Sequence, residues 1–246
     1  MGILNVTPDS FSDGGKFNSL NHALAQAKRM IDAGVSIIDI GGESTRPGAP
    51  DVSLEDELAR VIPVIKAIRA QYDVWISIDT SKAEVMRQAA AAGADIINDV
   101  RALQEPGALE VAAEVGLPIC LMHMQGQPDT MQKSPKYADI LAEIKGFFVS
   151  RLEVCENSGI DVTKIYLDPG FGFGKTIEHN YKLLGNLNVF EELGRPLLIG
   201  LSRKSMIGNL LNREVGERLA GSLTGAMLAF MQGAEIVRVH DVKETV

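Results

Sequence analysis

Residues 1–15 read MGILNVTPDSFSDGG, and the way this stretch divides decides the fold. Ile3, Leu4 and Val6 make a short apolar strand that Pro8 stops at once. The chain then turns small and polar through Asp9, Ser10, Ser12, Asp13, Gly14 and Gly15. Asn5 and Thr7 therefore stand at a strand end, with two carboxylates on the loop just beyond. That combination suits a metal ion or a phosphate. No Gly-x-Gly-x-x-Gly follows the strand, which argues against a doubly wound dinucleotide-binding sheet.

Working outward, further apolar, β-branched runs follow at Val35–Ile40, Val74–Ile78, Asp95–Asn98, Pro118–Met122, Lys164–Leu167, Leu197–Leu201 and Glu235–Val239, after the first at Gly2–Val6. Segments with helical spacing lie between them, among them His22–Ala33, Glu55–Ala70, Lys82–Ala92, Tyr137–Asn157 and Glu217–Gln232. Gly34, Gly93, Gly116, Gly159 and Gly233 each sit where a helix should end and a strand begin. Nearly continuous apolar strands suit a parallel sheet covered on both faces. Eight strands alternating with helices in about 250 residues is the count for a (β/α)8 TIM barrel. No linker or charge block interrupts the chain, so residues 1–246 read as one domain. The first strand begins at residue 2 and only Asp241–Val246 follow the eighth, so the N-terminal hairpin and the last helix of a complete barrel are expected to be missing.

The totals bound the function. Of 246 residues, 46% are hydrophobic and 23% charged, the balance of an ordinary globular protein. No apolar run approaches the ~20 residues of a membrane helix, and no signal peptide is visible. Cys120 and Cys155 fall in a strand and a helix pattern, which fits a reducing cytoplasm better than a disulfide framework. A net charge of -8 argues against nucleic acid or anionic membrane as partners. A local cluster of Arg and Lys can still receive an anionic substrate.

In a barrel of this type the active site lies at the C-terminal ends of the strands. Polar groups gather there on all eight. They include Asn5 and Thr7; Asp39 and Glu43 to Arg46; Asp79 to Ser81; Asn98 and Asp99; Met122 and His123; Asp168 to Gly174; Ser202 to Ser205; and Arg238, His240 and Asp241. Scattered capping residues would not converge in this way.

The opening stretch closely resembles the first signature of the dihydropteroate synthase family. IGGESTRP at 40–47, IDTS at 78–81, INDV at 97–100, LDPGFGFG at 167–174, GLSRKS at 200–205 and RVHD at 238–241 are similar to its later motifs, in order and over essentially the whole chain. The resemblance implies a transferase of folate biosynthesis. Its substrates would be 6-hydroxymethyl-7,8-dihydropterin pyrophosphate and p-aminobenzoate, its products 7,8-dihydropteroate and pyrophosphate. It also implies Mg2+ as cofactor, a homodimer, and inhibition by sulfonamides that mimic p-aminobenzoate.

Roles follow for particular residues. Asp168 would accept two hydrogen bonds from the guanidine-like edge of the pterin, the fork geometry that makes such pairs strong. Asp79 and Asn98 would complete the pattern, and Lys204 would place a cation near the ring carbonyl. Met122, Gly172 and Phe173 would border the ring. Arg46, Arg238 and His240 would neutralise the pyrophosphate, with Thr45 and Ser44 adding hydroxyls. Asn5 would be the protein ligand of Mg2+, assisted by Asp9 or Asp13. Pro8, Phe11, Thr45, Pro47, Phe173, Lys204 and Ser205 would shape the p-aminobenzoate pocket. Three other functions compete: a pterin-binding methyltransferase barrel, which would not need the cation cluster; a glycosidase barrel, disfavoured by the 5% aromatic content; and a truncated pterin binder without turnover.

Overall fold

The strands and helices alternate as the sequence pattern requires. The computed structural model describes residues 1–7, 16–44, 51–126, 131 and 135–246, the side chains of residues 16–19 lying outside that description. The strands are β1 (Gly2–Asn5), β2 (Ile37–Gly41), β3 (Trp75–Asp79), β4 (Ile96–Asp99), β5 (Ile119–Met122), β6 (Ile165–Asp168), β7 (Leu197–Ile199) and β8 (Ala234–Val237). The helices are α1 (Lys16–Asp32), α2 (Leu54–Arg69), α3 (Ala83–Ala92), α4 (Ala108–Val115), α5 (Ile140–Asn157), α6 (Ile177–Leu184), α7 (Ser205–Leu211), α8 (Leu219–Met231) and the one-turn α9 (Val242–Thr245).

The strands pair in parallel and in chain order, β1 through β8. A parallel bridge between Gly2 and Val239 closes the ring. Ile3 N donates to Val239 O at 3.0 Å and Val239 N to Met1 O at 2.9 Å. The fold is therefore the (β/α)8 barrel that the alternation implies.

Strand parity separates core from site. In β2, Ile38 and Ile40 are fully buried and share one face, while Asp39 and Gly41 share the other. Ile76, Ile78, Ile97, Ile119 and Ile165 are likewise buried in their strands. Each such side chain contributes about 1.5–3 kcal/mol by leaving water. Phe148 of α5 and Phe190, both fully buried, meet edge to face at 6.0 Å between ring centres.

Helix ends are marked by their caps. Ser53 Oγ accepts from Asp56 N at 3.1 Å at the start of α2. Thr176 and His179 form a reciprocal capping box on α6, and Asp139 caps α5 through Leu141 N. The Asp139 cap is why α5 begins at Ile140 rather than at Tyr137, where helical spacing alone would start it. The α8 helix likewise begins at Leu219, because a 3-10 turn at Val215–Glu217 precedes it.

Candidate active site

Strand register sets one row of side chains at the mouth. Asn5 pairs with Gly41, Gly41 with Asp79, Asp79 with Asn98 and Asn98 with Cys120. Met122 pairs with Asp168 further round. Four of the residues expected at the pterin, Asp79, Asn98, Met122 and Asp168, thus lie on consecutive strands at neighbouring levels.

Arg238 ties this row to the eighth strand. Its Nε donates to Asp39 Oδ2 at 2.6 Å and its Nη2 to Asp79 Oδ2 at 2.7 Å. Asn98 Nδ2 donates to the same Asp39 carboxylate at 3.2 and 3.4 Å. Burial works against the Arg238 charge, but the facing carboxylates Asp39 and Asp79 outweigh it and hold its pKa above the ordinary value. Burial raises Asp79 to about 7, with Arg238 pulling the other way and Asp39, Asp99 and Glu57 adding to the rise. Asp79 does not cap α3, whose N-cap residue is Lys82, so the ordinary structural reason for a strand-end aspartate is absent here.

Asp168 is 6% exposed. Its Oδ1 accepts from Gly170 N at 2.7 Å, so part of its role is to hold the turn after β6. Burial pushes its pKa up, opposed chiefly by Lys204. Lys204 donates to Phe171 O and lies 4.7 Å from the centre of the Phe173 ring. Burial lowers the Lys204 ammonium to about 8, with Asp168 working against the change. Phe173 is half-buried, Met122 is buried and Ser205 is exposed at the first turn of α7. Gly172 N donates to Asn180 Oδ1 at 2.7 Å, which fixes the glycine-rich turn on α6.

The loops after β7 and β8 are joined. Ser202 Oγ lies 3.1 Å from His240 Nδ1 and accepts from His240 N at 3.2 Å. Arg203, with φ of 59°, forms a two-pronged ion pair with Asp241. Lys204, Arg238 and His240 are thereby brought to one side of the mouth. Thr45 and Arg46, expected at the phosphates, lie outside the described residues, as do Pro8, Asp9, Phe11, Asp13 and Pro47.

Two buried networks flank this row. Glu57 of α2, with its side chain 1% exposed, accepts from Thr80 Oγ1 at 2.6 Å and pairs with Lys82, which also meets Glu43. Burial draws the Lys82 ammonium's pKa down, and the bonds to Glu43 and Glu57 reverse that into a net rise. On the opposite side Lys175, 3% exposed, lies 3.1 Å from His123 Nδ1 and donates to Phe173 O at 3.0 Å and His123 O at 3.4 Å. Burial lowers Lys175 to about 7, and burial with the nearby Lys175 charge lowers His123 to about 3. The β6 turn presses on this pair: a Cβ on Gly170, at φ 72°, would stand 1.9 Å from His123 O.

Sequence reasoning named Asp39 and His123 as strand-end groups without giving them work, and passed over Glu57 and Lys175. Asp39 carried a signal: a carboxylate between Ile38 and Ile40 in a buried strand must face inward and needs a cation. Glu57 carried none, since an acid in the first turn of a helix reads as dipole complement.

Among the described residues no group of three or more His, Cys, Asp and Glu is placed to cage a metal. Asn5 Oδ1 and Asp79 Oδ2 face the same space over Gly41, 3.7 and 3.6 Å from where its Cβ would be. A lone amide oxygen there fits Mg2+, which keeps waters, takes one or two protein oxygens and draws the rest from phosphate.

The pterin-binding enzyme family profile matches residues 1–240. The dihydropteroate synthase of Escherichia coli is 63% identical over 246 residues, spanning 100% of this chain and 87% of that protein. The chain belongs to the dihydropteroate synthase family. Among solved structures of dihydropteroate synthase, the Yersinia pestis enzyme in complex with a sulfonamide drug superposes with a TM-score of 0.95 at 59% identity, covering 100% of this chain and 89% of that one. The Xanthomonas albilineans dihydropteroate synthase in complex with 7,8-dihydropteroate gives 0.91 at 48% identity, covering 100% and 88%.

Proposed function

We infer that this chain joins 6-hydroxymethyl-7,8-dihydropterin pyrophosphate to p-aminobenzoate in folate biosynthesis. The bond from the exocyclic carbon to the pyrophosphate oxygen breaks, the amine nitrogen bonds to that carbon, and the amine loses a proton. The observation that carries this reading is the meeting of Asp79, Asn98, Asp168, Lys204 and Arg238 in one mouth, in a chain of this family. Asp168 accepts hydrogen bonds from the pterin 2-amino group and adjacent ring N–H. Asp79 and Asn98 take the remaining polar edge, and Lys204 faces the ring carbonyl. Phe173 and Met122 give the ring apolar contact. Arg238 and His240, joined by Arg46 and Thr45 from loop two, receive the pyrophosphate; guanidinium groups match phosphate geometry in two-point fashion.

Departure of the leaving group before attack fits this residue set. Preorganised cations stabilise charge as it develops on the pyrophosphate, and the electron-rich dihydropterin stabilises the carbon left behind. An arylamine is already nucleophilic and needs no strong base. Asn5 would hold a Mg2+ ion when the phosphates are present, and that ion would supply further charge neutralisation on the leaving group. Ser205 and Phe173 border the p-aminobenzoate pocket, where sulfonamides compete.

A homodimer is part of the reading. Leu210 and Leu211 of α7 and Met227, Phe230 and Met231 of α8 are exposed, Phe230 at 68% and Met231 at 74%. Such a cluster is typical of a surface that a second copy covers. A cytoplasmic location is supported by two buried, unpaired cysteines and by the lack, among the described residues, of any helix long and apolar enough to cross a membrane.

The test is pyrophosphate release on mixing both substrates, with and without Mg2+. Release that depends on p-aminobenzoate and Mg2+ is expected. Pterin binding without release would make the chain a binding protein instead. Sedimentation checks the dimer: Phe230→Glu is expected to give a monomer, and an unchanged mass would remove α8 from the interface.

A further inference from the structure

Arg238 is held at two points, and those points differ in what substrate asks of them. Asp79 lies at the mouth, level with Asn98 and Gly41. Asp39 lies deeper on β2, in register with Ser77 rather than with Asp79, and is fully buried. On the reading above, Asp79 receives a pterin N–H, for which Oδ1 is available while Oδ2 holds Arg238 Nη2; it is the pyrophosphate that calls Nη2 away, and Asp79 then keeps the pterin as its partner. A guanidinium left with no carboxylate in a buried site is costly. Asp39 prevents that, because it engages Nε rather than a terminal nitrogen.

We propose that Asp39 is the pivot of Arg238: a positioning residue that keeps the guanidinium anchored through Nε while its terminal nitrogens pass from Asp79 to the departing pyrophosphate. The backbone at this point is fixed, since Arg238 N donates to Ile199 O at 2.8 Å, so the movement is confined to the side chain. Asp39 also orients Asn98, so one buried carboxylate serves both a pterin-facing amide and the phosphate-facing arginine. The inference rests on the assignment of Asp79 to the pterin.

Calorimetric titration of inorganic pyrophosphate with Mg2+ into wild type, Asp39→Asn, Arg238→Met and the double variant tests the pivot without requiring turnover. Asp39→Asn is expected to weaken pyrophosphate about ten-fold or more, as for loss of a charge-assisted bond. In the Arg238→Met background it is expected to add nothing. In turnover assays it lowers kcat more than it raises KM for p-aminobenzoate. Unchanged pyrophosphate affinity, or losses that multiply in full, would overturn the proposal. Should Asp39→Asn fail to fold, a crystal structure of the wild-type protein with phosphate-free 6-hydroxymethyl-7,8-dihydropterin and Mg2+ pyrophosphate decides. Expected is Nε on Asp39 with Nη2 passed from Asp79 to the pyrophosphate; Arg238 without contact to the pyrophosphate, or detached from Asp39, refutes the pivot. A pterin that does not touch Asp79 in that structure refutes the underlying assignment instead.

Discussion

In the β2–β4 half of the barrel mouth, buried carboxylates are met by donors from side chains and turns. Glu57 has Thr80 and Lys82, Asp39 has Arg238 and Asn98, and Asp99 has Ser81 and the amides of Arg101 and Leu103. In the β5–β7 half, buried ammonium groups are met by backbone carbonyls: Lys175 by Phe173 and His123, Lys204 by Phe171. A carbonyl dipole compensates a cation less than a carboxylate does. The consequence is visible in the ammonium groups, lowered by burial to about 7 and about 8, against a raised Lys82 on the other side. The acidic half is wired in advance, whereas the lysine half is completed by the acceptors of a ligand.

The largest expected effect comes from Asp168, the carboxylate that faces Lys204 on the lysine side. Asp168→Asn turns an amide NH2 toward the pterin donors, and loss of a buried charge-assisted pair costs about 2–5 kcal/mol. Calorimetry should show pterin affinity falling by that amount, and an unchanged affinity would break the assignment. The matching change on the acidic side acts on stability. Glu57→Gln should cost about 3 kcal/mol in denaturant unfolding, the low end for breaking a buried ion pair, because Glu43 still holds Lys82. A cost near zero would mean that half is not prewired.

Lys175→Met removes a donor from two buried carbonyls and should cost about 1–3 kcal/mol. Here the sign of the pH dependence is informative. The folded-state pKa of Lys175 is depressed, so the unfolded chain holds the extra proton between about 7 and the ordinary 10.5. Wild-type stability relative to Lys175→Met should therefore rise with pH from about 7 towards 10.5, which is to say be lost as pH falls across that window, and be level below 7. A difference independent of pH from 7 to 9 would contradict a poised lysine. The smallest effect lies outside the mouth. Gly146, within α5, has nothing near its missing Cβ, so Gly146→Ala should stabilise by about 0.5–1 kcal/mol in thermal unfolding without altering pterin affinity. Any change in affinity would show that the comparison is not confined to the mouth.

The fold was legible because its signals are local. Ile38, Ile40, Ile76 and Ile78 declare buried strands, and Gly34 and Gly93 take the positive φ that helix ends require. The short helices α4, α6 and α7, of 8, 8 and 7 residues, span too few turns for periodicity to be plain. Asp79, Asn98, Asp168, Lys204 and Arg238 could be named from motifs, and strand register brings them together. What those motifs could not convey is which of them grip one another. That Arg238 spans Asp39 and Asp79 across 199 and 159 residues of chain follows from barrel closure. Lys175 reads as a surface residue until the β6 turn folds over His123.

The pH dependence of pterin affinity tests the division of the mouth most directly. Wild type titrated with phosphate-free 6-hydroxymethyl-7,8-dihydropterin should bind more tightly as Asp79 ionises through about 7. Affinity should then fall as pH rises through about 8, where Lys204 loses its proton. Lys204→Met should bind more weakly and show no fall in that upper range. A wild-type affinity that stays level from pH 7 to 9.5, or the same fall in Lys204→Met, would contradict a lysine half whose charge awaits its ligand.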